Sequence, residues 1–145
     1  MTIEDDQSLP VVARRTIAAP RDKVFAAWLD PALLVRFMRP SEKTMVSAEV
    51  EARVGGHYRI VMNHGLAPVE HRGEYLEITR PSRLSFTWQS VNTEGRATLV
   101  VLEFNERPDG TEVVLTHTRL PLAMRDAHFR GWTAILGELS KNFGV

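Results

Sequence analysis

The apolar residues of the chain follow a two-residue period through its middle and a helical period at its C-terminal end. Between Thr44 and Thr118, short alternating runs are separated by turn signals such as Gly55-Gly56 and Pro108-Asp109-Gly110. From Leu122 to about Phe143 the apolar residues are spaced by three and four, which is typical of an amphipathic helix. An apolar sheet face and an apolar helix stripe must be buried together. The pattern therefore predicts a curved antiparallel sheet that wraps one long C-terminal helix.

Seven strands and two short helices are predicted before the long helix. Pro20 follows the first strand and suits the first turn of a helix, because its missing N–H needs no partner there. Asp30-Pro31 separates the two short helices. The predicted strands are Pro10–Ala18, Thr44–Arg53, His57–His64, Glu70–Ile78, Leu84–Trp88, Thr98–Phe104 and Thr111–Thr118, and the short helices are Arg21–Leu29 and Ala32–Met38. We expect one α+β domain over residues 10–145, after a flexible tail at residues 1–9.

Composition limits the classes of function. A chain of 145 residues, 43% hydrophobic and 25% charged, fits one globular domain. The 18 basic and 18 acidic residues balance, which argues against nucleic-acid binding because phosphate contacts need clustered positive charge. No apolar stretch approaches the roughly 20 residues of a membrane span, and Met1–Gln7 lacks the apolar core of a signal peptide. We therefore expect a cytoplasmic protein without membrane contact.

Several segments together resemble one known family. The layout is similar to the helix-grip fold of the START and Bet v 1-like (SRPBCC) superfamily, and most similar to the domain family named after the activator of the heat-shock protein 90 ATPase. The resemblance implies a hydrophobic cavity between the sheet and the C-terminal helix, and in some relatives a role in stress response. The segments that carry it are Ala19–Trp28 with Asp30-Pro31, Gly55–Arg59, Gly73–Ile78, Arg83–Trp88, Thr111 with Leu115–His117, and His128 with Gly131-Trp132 and Leu136.

The candidate ligand-binding residues are those expected to face the space between sheet and helix. His117 shares its strand face with Val113 and Leu115, and His128 begins the apolar stripe of the long helix. Apolar walls with a few converging polar groups are what a small-molecule site requires. The predicted cavity residues are Trp28, Phe37, Met38, Tyr58, Met62, Tyr75, Phe86, Trp88, His117, His128 and Trp132.

These residues also have a purely structural interpretation. His117 and His128 could hydrogen-bond each other or nearby backbone as satisfied core residues, since buried polar groups usually have partners. The aromatic and methionine residues are more often core than ligand wall. Arg36, Arg39 and Lys43 could flank the mouth of a cavity, which would favour anionic ligands.

Metal, cofactor and nucleophile sites have no support in the sequence. His57, His64 and His71 recur every seven residues, and an odd interval along strands places neighbours on alternate faces rather than together. The chain has no cysteine, no phosphate-binding glycine loop and no GxSxG nucleophile turn. No catalytic residue, metal or cofactor is therefore assigned.

Three functions remain open. The leading one is non-catalytic binding of an apolar or amphipathic small molecule in the cavity. The second is an enzyme of the cyclase or hydratase kind, in which His117 or His128 would move a proton. The third is a co-chaperone-like interaction module, although the chain has no room for the separate N-terminal domain of the eukaryotic co-chaperones. Exposed strand edges could also pair two copies into a homodimer.

Overall fold

The computed structural model describes residues 9–65 and 67–143 and shows an α+β fold. Residues 1–8, which make up most of the predicted tail, lie outside the described residues, as do the last two residues of the predicted domain. The strands are β1 (Val11–Ile17), β2 (Met45–Val50), β3 (His57–Asn63), β4 (Pro68–Thr79), β5 (Arg83–Trp88), β6 (Thr98–Arg107) and β7 (Gly110–Thr118), and the helices are α1 (Arg21–Ala27), α2 (Pro31–Phe37) and α3 (Arg125–Asn142).

The seven strands form one curled antiparallel sheet in the order β1-β7-β6-β5-β4-β3-β2. Strands β2 to β7 follow one another as a meander, and β1 pairs with the far side of β7. Helices α1 and α2 connect the two edges of the sheet, and α3 follows β7. This arrangement confirms the predicted fold class, including the two short helices after the first strand.

Cross-strand pairing sets the inward residues of neighbouring strands side by side. Ile60 pairs with His71, and Val100 pairs with both Phe86 and His117. All five side chains are buried. The predicted inward faces of β3, β5, β6 and β7 are confirmed, because the buried residues are Tyr58, Ile60, Met62, Leu84, Phe86, Trp88, Val100, Leu102, Phe104, Val113, Leu115 and His117.

Several element ends differ from the prediction for reasons of local pairing. Strand β4 begins at Pro68, within the predicted loop, because Asn63 pairs with Pro68 across the hairpin. Strand β6 runs past Phe104 because its pairing with β7 continues as far as the hairpin turn. The long helix begins at Arg125, since a single 3₁₀ turn occupies Leu122–Met124.

Helix α3 buries its apolar stripe against the sheet and the short helices. Trp132, Ile135, Leu136 and Leu139 are each at most 4% exposed. The helix backbone lies close to β1 and to α2. Within the described part of the chain, none of the helices combines the length and apolar character that a membrane span requires.

Gly73 in β4 lies where the sheet and a tyrosine approach each other closely. A Cβ atom at this position would lie 1.9 Å from the Thr87 carbonyl oxygen and 2.7 Å from the Tyr58 hydroxyl oxygen. Because no side chain fills the space, the Tyr58 hydroxyl donates a hydrogen bond of 2.5 Å to that carbonyl oxygen. Glycine here allows a core tyrosine to satisfy its hydroxyl within the sheet.

We expect Gly73→Ala to lower the free energy of unfolding by at least about 3 kcal/mol, because backbone must move to relieve the overlap. Gly137→Ala is the control. A Cβ at this position in α3 would meet nothing within 4 Å, and replacing a helix-interior glycine should stabilise by up to about 1 kcal/mol. Urea denaturation of both variants measures the difference, and equal stabilities would contradict the close approach at Gly73.

Candidate functional site

A cavity of about 240 Å³ lies between one end of the sheet and the N-terminal half of α3. The ends of β3 and β5 and the start of β4 form one side of it, and Pro40, which follows α2, borders it. Buried side chains form its inner wall, whereas His64, Asn92 and Ala127 are exposed and form its rim. The complete lining is Pro40, Met62, His64, His71, Trp88, Asn92, Met124, Ala127, His128, Gly131, Trp132 and Ile135.

Aromatic rings packed at tilted angles form the floor of the cavity. The rings of Trp88 and Trp132 lie 4.9 Å apart between centroids, and the His71 ring lies 4.7 Å from that of Trp88 at an interplanar angle of 33°. All three side chains are at most 6% exposed. Rings packed from β4, β5 and α3 therefore hold the inner wall in place.

His117 lies beneath this floor, in a directional chain of hydrogen bonds. The indole N–H of Trp132 can only donate, so Nδ1 of His117, 2.9 Å away, must accept. The proton of the neutral ring is then on Nε2, which donates to Thr98 Oγ1 at 2.7 Å. The Thr98 hydroxyl donates in turn to the Trp88 carbonyl oxygen at 2.5 Å. The chain links α3 to β7, β6 and β5, and both ring nitrogens of His117 have partners.

His128 and His71 each use one ring nitrogen on the backbone. Nδ1 of His128 lies 2.9 Å from the Met124 carbonyl oxygen, and Nδ1 of His71 lies 3.4 Å from the Ile60 carbonyl oxygen. A carbonyl oxygen only accepts, so Nδ1 carries the proton in both rings. In the neutral rings Nε2 is therefore a hydrogen-bond acceptor, and none of the described residues donates to it. The third cavity histidine, His64, has Nδ1 3.0 Å from the Thr44 hydroxyl, which can donate or accept.

Burial keeps the inner histidines uncharged. It lowers the pKa of His71 to about 4, with smaller contributions from His128 and His64, against the opposing effects of the Ile60 and Val69 backbone. Burial also lowers the pKa of His117 well below its ordinary value, and His128 adds to this. The pKa of His128 is lowered by burial too, although its bond to Met124 opposes the shift. At neutral pH these imidazoles are neutral groups in an apolar environment.

The eleven predicted cavity residues divide between this cavity and a filled core. Met62, Trp88, His128 and Trp132 line the cavity. His117 is fully buried under Trp132, and the ring of Phe37 packs edge-on against Trp28 with centroids 4.9 Å apart. The others border, together with Trp88, a void of about 10 Å³, which is the size of one water molecule: Trp28, Met38, Tyr58, Tyr75 and Phe86.

The expectation that the histidines at intervals of seven lie on alternate faces is wrong for two of them. His64 and His71 border the same cavity, whereas His57 is exposed on the outer face of β3. Side chains an odd number of residues apart lie on opposite faces only within one strand. His64 and His71 are separated by a hairpin. Counting back by twos from Tyr75 along β4, or pairing across to Ile60, places His71 inward.

Of the three basic residues expected at the cavity mouth, Arg39 is paired with an acid. The Arg39 guanidinium lies 3.0 Å from a carboxylate oxygen of Glu138, and Lys141 bridges Glu138 and Glu42 at 3.1 and 3.3 Å. These bonds lower the pKa of Glu138 against the opposing effect of its burial. The basic group nearest to Pro40 is thus paired with an acid, and Arg36 and Lys43 are exposed.

The three cavity histidines are not arranged as a metal centre. Among the residues that the structure describes, no three histidine or acidic side chains converge closely enough to hold an ion. The hydrogen bond between His64 and Thr44 also occupies one of the ring nitrogens at the rim.

Known proteins share this fold. A family model described as "Activator of Hsp90 ATPase homolog 1-like protein" matches residues 18–144. A solved structure from Chromobacterium violaceum has a TM-score of 0.84 at 22% identity, over 94% of this chain and 99% of that chain. An AHSA1-like protein from Aeromonas hydrophila has a TM-score of 0.77 at 24% identity, over 92% and 90%. No curated protein matches the chain. At such identities the solved structures show a common fold.

Trp132 donates a hydrogen bond to His117, and we therefore expect its indole N–H to contribute more to stability than that of the equally buried Trp28. Trp28 and Trp132 are both 2% exposed, but the Trp28 indole N–H has no hydrogen-bond partner among the described residues. We expect Trp132→Phe to lower the free energy of unfolding by about 1–3 kcal/mol more than Trp28→Phe, because it leaves Nδ1 of His117 buried and unpaired. Chemical denaturation measures both, and equal losses would contradict the assigned bond.

The buried histidines should make the protein less stable in mild acid. Their pKa values are lower in the folded state than the ordinary value near 6.5, so between these values the unfolded chain binds more protons. Stability is therefore complete above about pH 6.5 and falls as the pH approaches 4, with His71 alone contributing on the order of 3 kcal/mol.

Chemical denaturation at several pH values between 7 and 5 measures this loss of stability in a range above that in which most carboxylates titrate. We expect His71→Phe, which retains an aromatic ring against Trp88, to reduce the dependence of stability on pH. His57→Phe replaces a side chain that is 70% exposed and is the matched control for the substitution. If the stability of the His71 variant depends on pH as steeply as that of the wild type, His71 does not take up a proton on unfolding.

Proposed function

The chain belongs to the family of Activator of Hsp90 ATPase homolog 1-like proteins, and from that premise we propose that it binds a compact apolar or amphipathic small molecule. The fold of this family is suited in general to ligand-binding or interaction domains. The proposed site is the cavity between the sheet and α3, and binding there is non-catalytic. The observation that carries the proposal is a 240 Å³ cavity whose inner wall combines two tryptophans and a methionine with neutral imidazoles.

The volume of the cavity limits the size of its ligand. A cavity of about 150 Å³ holds benzene, whereas pockets for drug-sized molecules begin near 300 Å³. A space of about 240 Å³ therefore suits a molecule with two fused rings or a comparable branched aliphatic group. The exposed rim at His64 and Asn92 leaves room for a polar end of the ligand to face solvent.

The hydrogen bonds of His117 favour binding over catalysis. Both of its nitrogens are engaged and it is fully buried, so it has no free lone pair with which to remove a proton from a ligand. His128 and His71 retain an acceptor nitrogen, but no carboxylate among the described residues orients either ring as a triad or dyad would. The cavity therefore has hydrogen-bonding groups without an assembled acid–base pair.

Two helix glycines offer a direct test of the site. A Cβ on Gly131 or on Gly137 would meet nothing within 4 Å, but only Gly131 lines the cavity. We expect Gly131→Leu to fill part of the cavity and to weaken binding of 2-methylnaphthalene at least tenfold. Gly137→Leu introduces the same side chain into the same helix and should bind this probe as the wild type does.

Isothermal titration calorimetry on the wild type and both variants gives the dissociation constants. The melting temperature of each variant shows whether a loss of binding is a loss of folding. If wild-type protein does not bind the probe, or if both leucine variants bind it equally well, the cavity is not the binding site.

A further inference from the structure

The polar groups around the cavity differ in what they need from a ligand. Nε2 of His71 and Nε2 of His128 are acceptors, because both rings carry their proton on Nδ1. The indole N–H of Trp88 can only donate, and it is buried with no partner among the described residues. Trp88 is 3% exposed, and its ring forms part of the cavity wall. That indole nitrogen is closed off from the open space, so the polar groups that the wall offers to a ligand are the acceptors of the imidazoles.

Two charge states of a ligand fit this wall poorly. A carboxylate only accepts, so it would meet the lone pairs of the imidazoles without a proton between them. The guanidinium that could have compensated its charge, that of Arg39, is bonded to Glu138. An ammonium group would have to lose its hydration in a wall that contains no carboxylate, since none of the twelve lining residues is acidic.

A hydroxyl group meets this need without carrying a charge, because its O–H donates a hydrogen bond. We infer that the cavity selects an uncharged ligand bearing a hydroxyl group, whose O–H donates to Nε2 of His128 or His71. This inference rests on the proposed function, and it adds the chemical class of the ligand. The rest of the ligand is apolar and of about two-ring size, and it contacts Met62, Trp132 and Ile135.

Three probes of one shape and different polar groups test the selectivity. 2-Naphthol has the hydroxyl, 2-methoxynaphthalene retains the oxygen acceptor without the proton, and 2-naphthoate is an anion at pH 7. We expect 2-naphthol to bind about tenfold more tightly than 2-methoxynaphthalene, as one lost hydrogen bond of ordinary strength predicts. The naphthoate should bind more weakly than either. Calorimetry at pH 7 measures all three.

A pair of histidine variants assigns the contact. His128→Leu removes one acceptor and retains apolar volume, so the preference for naphthol over the methoxy compound should shrink. His57→Leu makes the same change on the outer face of β3 and should leave the preference intact. Far-UV circular dichroism and urea denaturation of the His128 variant establish that it is folded.

The outcomes separate this inference from the function on which it rests. If none of the three naphthalenes binds, the proposed binding function itself fails. If naphthol and the methoxy compound bind equally, or if the naphthoate binds most tightly, the cavity is a binding site but its histidines do not select hydroxyl ligands. A preference that persists in a double variant, His71→Leu with His128→Leu, would also overturn the inference.

Discussion

The hydrogen-bond chain from Trp132 through His117 and Thr98 to the Trp88 carbonyl is the constraint on which the functional end of the molecule depends. It is directional, because an indole N–H only donates and a carbonyl oxygen only accepts. Every donor and acceptor along it is therefore assigned. It joins α3 to three adjacent strands, and its two ends are the tryptophans that form the cavity floor. Loss of one member leaves a buried polar group unpaired. Hydrogen bonds therefore stabilise the floor in addition to side-chain packing.

Aromatic packing divides the space between sheet and helix into a filled and an open part. Near α2, Trp28 packs edge to face against Phe37 and Tyr58 packs edge to face against Phe86, and about 10 Å³ remains open. Near the start of α3, Gly131 has no side chain to fill the space, and about 240 Å³ remains open. Trp88 lies between the two parts and borders both. One layer of rings thus provides the stabilising core and the wall of the proposed site.

The sequence was sufficient to predict the fold and the inward faces, but not which inward residues border open space. Alternation along single strands identified Trp88 and His117 as inward, because a strand's side-chain period is fixed by its pleat. His71 was missed because its spacing from His64 was counted across a hairpin, where the period restarts. Whether Tyr75 borders a cavity or a filled core depends on how the rings around it pack, and periodicity contains no information about that.

The neutral character of the cavity follows from the fold rather than from its residue types alone. Three histidines and a nearby arginine could have made a cationic site, as the basic residues near α2 suggested. Burial instead lowers the pKa of His71 and of His128, and Glu138 pairs with Arg39. The imidazoles then act as acceptors whose tautomers are fixed by the Ile60 and Met124 carbonyls. A site of this kind discriminates by hydrogen-bond polarity, because a ligand that cannot donate leaves buried acceptors unpaired, and in an apolar cavity that penalty exceeds the gain from one good contact.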